Sequence, residues 1–265
     1  MRDRTPVVFI HGLWLHATSW GPWVERFQEK GYEPFAPGWP GERPRVEDAR
    51  KNPDAVAGHG IDSLVEHFAA SIGTLTQPPV VVGHSFGGLI AQRLLGQGLA
   101  AAAVAINAAP IKGVLYLPPS ALRVASIVLR NPANRKGAVS LTREQFRYAF
   151  GNAVQRDESD DLFERWTVPS PGQPLFESAA ANLLPRSPAR VATGNGERGP
   201  LLLVAGGMDR TVPWTITMST LKQYRISTAT TDFKEFPDRG HSLVVDSGWL
   251  EIADHALGWL AEVGA

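Results

Sequence analysis

The sequence predicts an α/β protein: a mainly parallel sheet of about six strands with helices on both faces. Two observations predict it. Apolar runs at about residues 6–10, 32–36, 79–83, 102–106, 200–205 and 231–236 are separated, for most of the chain, by stretches of helical periodicity. Several of these runs are continuous instead of alternating, as in Val80-Val81-Val82 and Leu201-Leu202-Leu203-Val204-Ala205. Strands buried on both faces read that way, because neither side meets water. At 265 residues the chain can bury one such core and carry an insert.

The first strand, Thr5 to Ile10, runs straight into His11-Gly12-Leu13-Trp14. The second is followed by Ala36-Pro37-Gly38-Trp39-Pro40-Gly41, a turn-forming stretch. The third, Pro79 to Val82, meets Gly83-His84-Ser85-Phe86-Gly87 and then a helical pattern from Gly88 to Leu95. The fourth, Ala103 to Ile106, ends in Asn107.

After Asn107 the alternation stops. Pro118 to Leu129, Thr142 to Phe150, Glu158 to Trp166 and Leu175 to Leu184 read as helices separated by proline-rich breaks. This organisation predicts a core of residues 1–110 and 191–265 interrupted by a helical insert at 111–190. The core resumes with the strand Pro200 to Ala205 followed by Gly206-Gly207-Met208-Asp209. Another strand, Asp232 to Phe236, leads to Pro237-Asp238-Arg239-Gly240-His241. Trp249, Leu250, Ile252, Leu257 and Leu260 then mark a closing helix.

The stretch around Ser85 carries the chemistry. A G-x-S-x-G turn between a β-branched strand and a helix forces the serine into a strained backbone conformation, and glycines two before and two after remove the collisions. A serine hydroxyl is a poor nucleophile without a base and a group that orients that base. Asp209 and His241 each stand just after a strand, where open α/β sheets place their sites. Asp232 and Asp238 are the competing acids; Asp238 is close to His241 in sequence but on the same loop. Acyl transfer also needs backbone N–H donors for an oxyanion. Phe86, after the nucleophile, and Leu13, after the first strand, are the candidates. Gly12 lets that backbone come close, and His11 reads as a residue that holds the loop.

With these residues in the order Ser85, Asp209, His241, the chain resembles the α/β-hydrolase superfamily, in its capped serine-esterase form. The resemblance rests on His11-Gly12, the 36–41 loop, the elbow, the Asp209 loop and His241. The stretch His11 to Trp20 also resembles the oxyanion loop of plant methyl esterases and hydroxynitrile lyases, with one residue more. The resemblance implies an α/β-hydrolase fold, no cofactor, and cleavage of an ester, thioester, lactone, amide or carbon–carbon bond. A perhydrolase uses the same triad, and a non-catalytic binding protein can use the same fold. Ser85 at the elbow excludes an aspartate-nucleophile dehalogenase or epoxide hydrolase.

The insert is then expected to cap the site. Its aromatic residues Tyr116, Phe146, Tyr148, Phe150, Phe163, Trp166 and Phe176 are candidates to line an apolar acyl pocket. Trp14, Phe146, Phe150 and Trp166 are the expected substrate contacts. The expected substrate is a small-molecule ester with a small to medium apolar group.

Composition agrees. Lys plus Arg and Asp plus Glu are both 26, so no net charge draws the chain to nucleic acid or an anionic membrane. With no cysteine there are no disulfides, thiol nucleophiles or cysteine–metal sites. His59, His67 and His255 lack ligand spacing, so no metal is expected. Met1-Arg2-Asp3-Arg4 leads directly into a strand with no signal-like apolar run, which predicts a cytoplasmic protein. Gly194-Asn195-Gly196-Glu197-Arg198-Gly199 matches a dinucleotide motif but precedes a strand instead of following one. It therefore cannot set a pyrophosphate on a helix N-terminus.

Overall fold

The computed structural model describes residues 4–265. Six strands form one sheet in the order β2-β1-β3-β4-β7-β8, every pair parallel. They are β1 (Pro6–Ile10), β2 (Glu33–Phe35), β3 (Val80–His84), β4 (Ala102–Ile106), β7 (Leu201–Gly206) and β8 (Thr231–Phe236). The apolar runs of the sequence supply all of them. Every residue of β1, β3, β4 and β7 is buried. The sheet edges read differently. Pro34 sits in β2, where a missing N–H costs no ladder bond on the open side. Strand β8, Thr-Asp-Phe-Lys-Glu-Phe, keeps its alternating charged residues exposed.

Helices surround the sheet: α1 (Gly21–Glu29), α2 (Val46–Lys51), α3 (Ile61–Ile72), α4 (Phe86–Gly96), α9 (Trp214–Tyr224) and α10 (Trp249–Val263). α1 packs against α10, where the Trp23 indole N–H donates to the Val244 carbonyl at 2.8 Å. Phe9, Trp20, Trp23 and Phe27 interlock at centroid separations of 5.0 to 6.1 Å. Such pairs contribute roughly 0.5–1.5 kcal/mol each beyond area burial. They fix the β1 end of the core, and with it the loop that follows β1.

Between β4 and β7 lie α5 (Pro119–Leu129), α6 (Arg143–Ala149), α7 (Arg156–Trp166) and α8 (Gln173–Ala179). These are the four helices the periodicity predicts. Pro119 opens α5 at a position where its absent N–H has no partner to lose, and Thr142 with Gln145 forms a capping box on α6. The structure adds an antiparallel ribbon of β5 (Ala138–Val139) and β6 (Ser170–Pro171). Two-residue strands, one ending in proline, leave no period to read. Among the described residues no helix is long and apolar enough to cross a membrane.

Candidate active site

The sheet brings the predicted residues to one end. β3 delivers Ser85 in the turn to α4, with φ 56° and ψ −119°. Only Trp14, Ser85 and Asn107 among the described non-glycine residues have positive φ, and all three stand just beyond a sheet strand. The elbow glycines act by close approach. A Cβ on Gly83 would overlap the backbone of Gly87, and one on Gly87 would overlap the Ile10 carbonyl of β1. Any side chain there would push the elbow off the sheet. The turn is pinned further by Ser85 N–H to the Ile106 carbonyl at 2.9 Å and by Ala109 N–H to the Ser85 carbonyl at 2.9 Å.

Asp209 and His241, on the loops after β7 and β8, meet: Nδ1 of His241 donates to Oδ2 of Asp209 at 2.6 Å. Both side chains are fully buried. The other carboxylate oxygen accepts the backbone N–H groups of Thr211 at 2.7 Å and Val212 at 2.8 Å. Asp209 is thus fixed from both sides, and His241 is held as the tautomer with its Nδ1 proton facing the acid. Nε2 of His241 is buried and makes no hydrogen bond, so the contact to the Ser85 hydroxyl is not closed here. Base-to-nucleophile contacts are commonly loose before substrate arrives. Neither competing carboxylate meets the base. Asp238 is exposed, and Asp232 accepts from the Trp259 indole at 2.8 Å.

Sequence reading assigned Asn107 only the end of a strand; the structure gives it a larger part. Its fully buried amide accepts from Gly206 N–H at 2.7 Å and donates to the Gly240 carbonyl at 3.1 Å. One side chain therefore ties the Asp209 loop to the residue before His241. Its place at the end of β4, between β3 and β7 in the sheet and so beside the elbow, is the signal that only topology supplies.

Ser85 opens into a cavity of about 240 Å³ whose lining includes Leu13, Trp14, Phe86, Leu117, Ala121, Val124, Ala125, Leu129, Leu175 and Val212. Leu13 and Phe86, the predicted oxyanion donors, both border it. Among the described residues neither backbone N–H is donated to a protein acceptor. Trp14 also lines the cavity, and its strained backbone (φ 67°) is held by the insert. Its N–H donates to the Ser170 hydroxyl at 2.6 Å and its indole N–H to the Val139 carbonyl at 3.0 Å. Val168 N–H to the Trp14 carbonyl at 3.0 Å and His16 N–H to the Trp166 carbonyl at 3.1 Å extend the seam.

The other expected pocket residues are corrected. Phe146, Phe150 and Trp166 do not line this cavity, nor do Tyr116, Tyr148, Phe163 and Phe176. Phe150 stacks on Phe146 (5.0 Å, 4°) and sets its edge against the His241 ring at 4.7 Å. These aromatics pack on each other and behind the base, while helix α5 turns small and aliphatic residues to the cavity. Trp166 borders a different cleft with Ser19, Glu158 and Trp249.

No protein of curated function matches the sequence significantly. Several solved structures share the architecture. An extracellular alpha/beta-hydrolase of a Paenibacillus species is 17% identical, with 96% of this chain and 98% of that one covered and a TM-score of 0.71. A methylesterase of Arabidopsis is 15% identical over 97% and 99%, with a TM-score of 0.68. A monoacylglycerol lipase of Paleococcus ferrophilus is 18% identical over 97% and 94%, with a TM-score of 0.66. At these identities the likeness is one of fold. The sequence model of the alpha/beta hydrolase family matches residues 7–255, and the chain belongs to that family.

Proposed function

We propose that this protein is a serine hydrolase that cleaves a carboxylic ester carrying a small to medium apolar group, through an acyl-enzyme. The observation that carries the reading is the buried His241–Asp209 pair at 2.6 Å, set at the same end of the sheet as a strained serine that opens into an apolar cavity. The Ser85 hydroxyl attacks the ester carbonyl and passes its proton to Nε2 of His241. Asp209 stabilises the imidazolium that forms. The oxyanion is met by the N–H groups of Leu13 and Phe86, worth several kcal/mol per donor in a dry site. His241 returns the proton to the leaving alcohol, then activates water to release the acid. The insert at 111–190 serves as the cap, supported by the six residues from Leu117 to Leu129 that line the cavity. That the similar structures include a methylesterase and a monoacylglycerol lipase agrees with ester chemistry.

The test is labelling with a fluorophosphonate followed by a panel of p-nitrophenyl esters. The wild type is labelled at Ser85 and turns over short and medium esters. Ser85→Ala abolishes both and keeps its thermal midpoint, since removing a hydroxyl from a strained turn costs little stability. Ester turnover retained by clean Ser85→Ala protein overturns the assignment.

A further inference from the structure

Beneath the loop that carries Leu13 lies a buried charged group that the proposed reaction does not use. His11 and Glu42 have side chains only 3% and 5% exposed, and Nε2 of His11 is 2.9 Å from Oε2 of Glu42. Nδ1 of His11 is 2.8 Å from the Gly12 carbonyl. The two ring nitrogens therefore face a carbonyl and a carboxylate. A neutral imidazole has one N–H and one lone pair, and would point that lone pair at an oxygen. The Glu42 oxygen lies out of line with the ring N–H, so charge holds this contact more than hydrogen-bond geometry does.

Glu42 is held as a carboxylate. The carboxylate's other oxygen already accepts Ala17 N–H at 3.1 Å. Burial pushes the Glu42 carboxyl up, but the charge of His11, its contact, His16 and the Ala17 N–H together bring it below the usual carboxylate range. His16 has partners of its own: its Nε2 lies 2.8 Å from the Arg43 carbonyl, and its Nδ1 lies 3.2 Å from Thr18 N–H. Trp39 covers His11, stacked at 5.1 Å and 22°, an arrangement that favours a cation. Among the described residues no group of three such side chains is placed to hold a metal ion.

The pair stands next to the reaction. Gly12 follows His11 directly, and a Cβ on Gly12 would come within 3.2 Å of the Ser85 hydroxyl oxygen. Leu13 comes next. Glu42 reaches both ends of this loop, through His11 on one side and through Ala17 and His16 on the other.

We propose that His11 is a fixed imidazolium and that the His11–Glu42 ion pair positions the oxyanion loop, holding the Leu13 N–H in place and setting a positive charge behind it. The second half of this statement rests on the hydrolase reading above; the charge on His11 does not. His11 and Glu42 are positioning residues, since neither borders the cavity. The titratable groups around His11 are Glu42 on the loop after β2, His16 on its own loop and His84 at the end of β3. Of these, Glu42 alone carries a negative charge.

The experiment is long-range ¹H–¹⁵N correlation of histidine-labelled protein at about pH 8, with His11 assigned by its loss in His11→Gln. Expected is one ring with both nitrogens protonated in the wild type, becoming a neutral ring in Glu42→Gln. In parallel, Glu42→Gln lowers kcat about tenfold with KM changed less than about twofold. Glu42→Asp recovers part of the loss. A neutral His11 ring in the wild type overturns the proposal, whether or not Glu42→Gln folds. Unchanged kcat in a folded Glu42→Gln, or a loss that Glu42→Asp does not partly recover, overturns the positioning role. If fluorophosphonate labelling of Ser85 fails while His11 is doubly protonated, the hydrolase reading falls and the ion pair stands.

Discussion

His84 donates from Nε2 to the backbone carbonyl of His241 at 2.9 Å, and the two rings lie 4.6 Å apart. The residue before Ser85 thus holds the main chain of His241. Donation to a carbonyl requires a proton on Nε2. Burial, then the neighbouring charge of His241 and that of His11, push His84 well below the usual imidazole range, against the opposing pull of its bond to the His241 carbonyl. His84 is a neutral ring whose Nδ1 is buried without a partner.

That has a consequence for stability. A base depressed in the folded state favours folding at pH above its free value. The benefit is lost as pH falls below that value toward the folded one, because the unfolded chain binds the extra proton first. His84→Gln keeps an N–H donor and removes the titration. Urea midpoints measured between about pH 7 and pH 5 should fall less steeply in His84→Gln than in the wild type. Parallel slopes would show that His84 takes up no proton on unfolding.

Asn107 offers a sharper test of how the two loops are held. Asn107→Ala removes both the acceptor for Gly206 N–H and the donor to the Gly240 carbonyl. Leaving these backbone groups buried without partners costs roughly 1–3 kcal/mol each at most. Loosening Asp209 relative to His241 should lower kcat more than it raises KM. Asn107→Asp keeps the acceptor alone, so its loss should be the smaller unless the added charge draws the His241 proton. Steady-state kinetics with thermal melts decide. A destabilised Asn107→Ala enzyme with unchanged kcat would mean that the loops do not need this tie.

For the acid itself, Asp209→Asn should reduce kcat by roughly four orders of magnitude, as loss of the carboxylate misorients the imidazole. Asp238→Asn, altering an exposed side chain, should stay near wild type. The reverse result, read by kcat on one ester, would transfer the acid role to Asp238.

These sites differ in how far the sequence exposes them. The inner strands β1, β3, β4 and β7 are apolar and short, and Ser85, Asp209 and His241 each stand at most a few residues past a strand, so local order is enough to locate them. Asp238 shares a loop with His241, whereas Asp209 follows a different strand, and that separates the two candidates in the sequence. The pocket wall was not legible. Phe146 and Phe150 look like acyl-pocket residues because large apolar side chains in an insert suggest a pocket. In the fold they stack on each other and Phe150 sets its edge against His241, since aromatic rings gain most from mutual burial. The cavity is lined by Ala121, Ala125 and Leu129, small and aliphatic residues that carry no signal above an ordinary amphipathic helix. Asn107 and Glu42 act across the sheet, on partners 133 and about 31 residues away, a distance no local period encodes.

The same geometry predicts which substitutions change substrate length. The cavity of about 240 Å³ is lined by residues of α5 and α8, by Leu117, and by Trp14 and Leu13. Its size limits the acyl or aryl group, so activity should fall from short or medium p-nitrophenyl esters to long ones. Ala125→Leu adds bulk to that lining and should shift the optimum to shorter chains. Leu175→Ala and Trp14→Ala remove bulk and should flatten the fall. Trp14→Ala also cuts the indole bond to Val139, so part of its effect will appear in kcat through the adjoining Leu13. Phe150→Ala is the contrasting case. It empties a buried aromatic site and should cost about 3–5 kcal/mol of stability. By freeing the His241 ring it should also lower kcat for every ester, but leave the ratio of short to long chains unchanged, because Phe150 does not touch the cavity. Profiles are compared below micelle-forming concentrations. A wild-type preference for long chains, or a length shift in Phe150→Ala without one in Ala125→Leu, would place the acyl group somewhere other than this cavity.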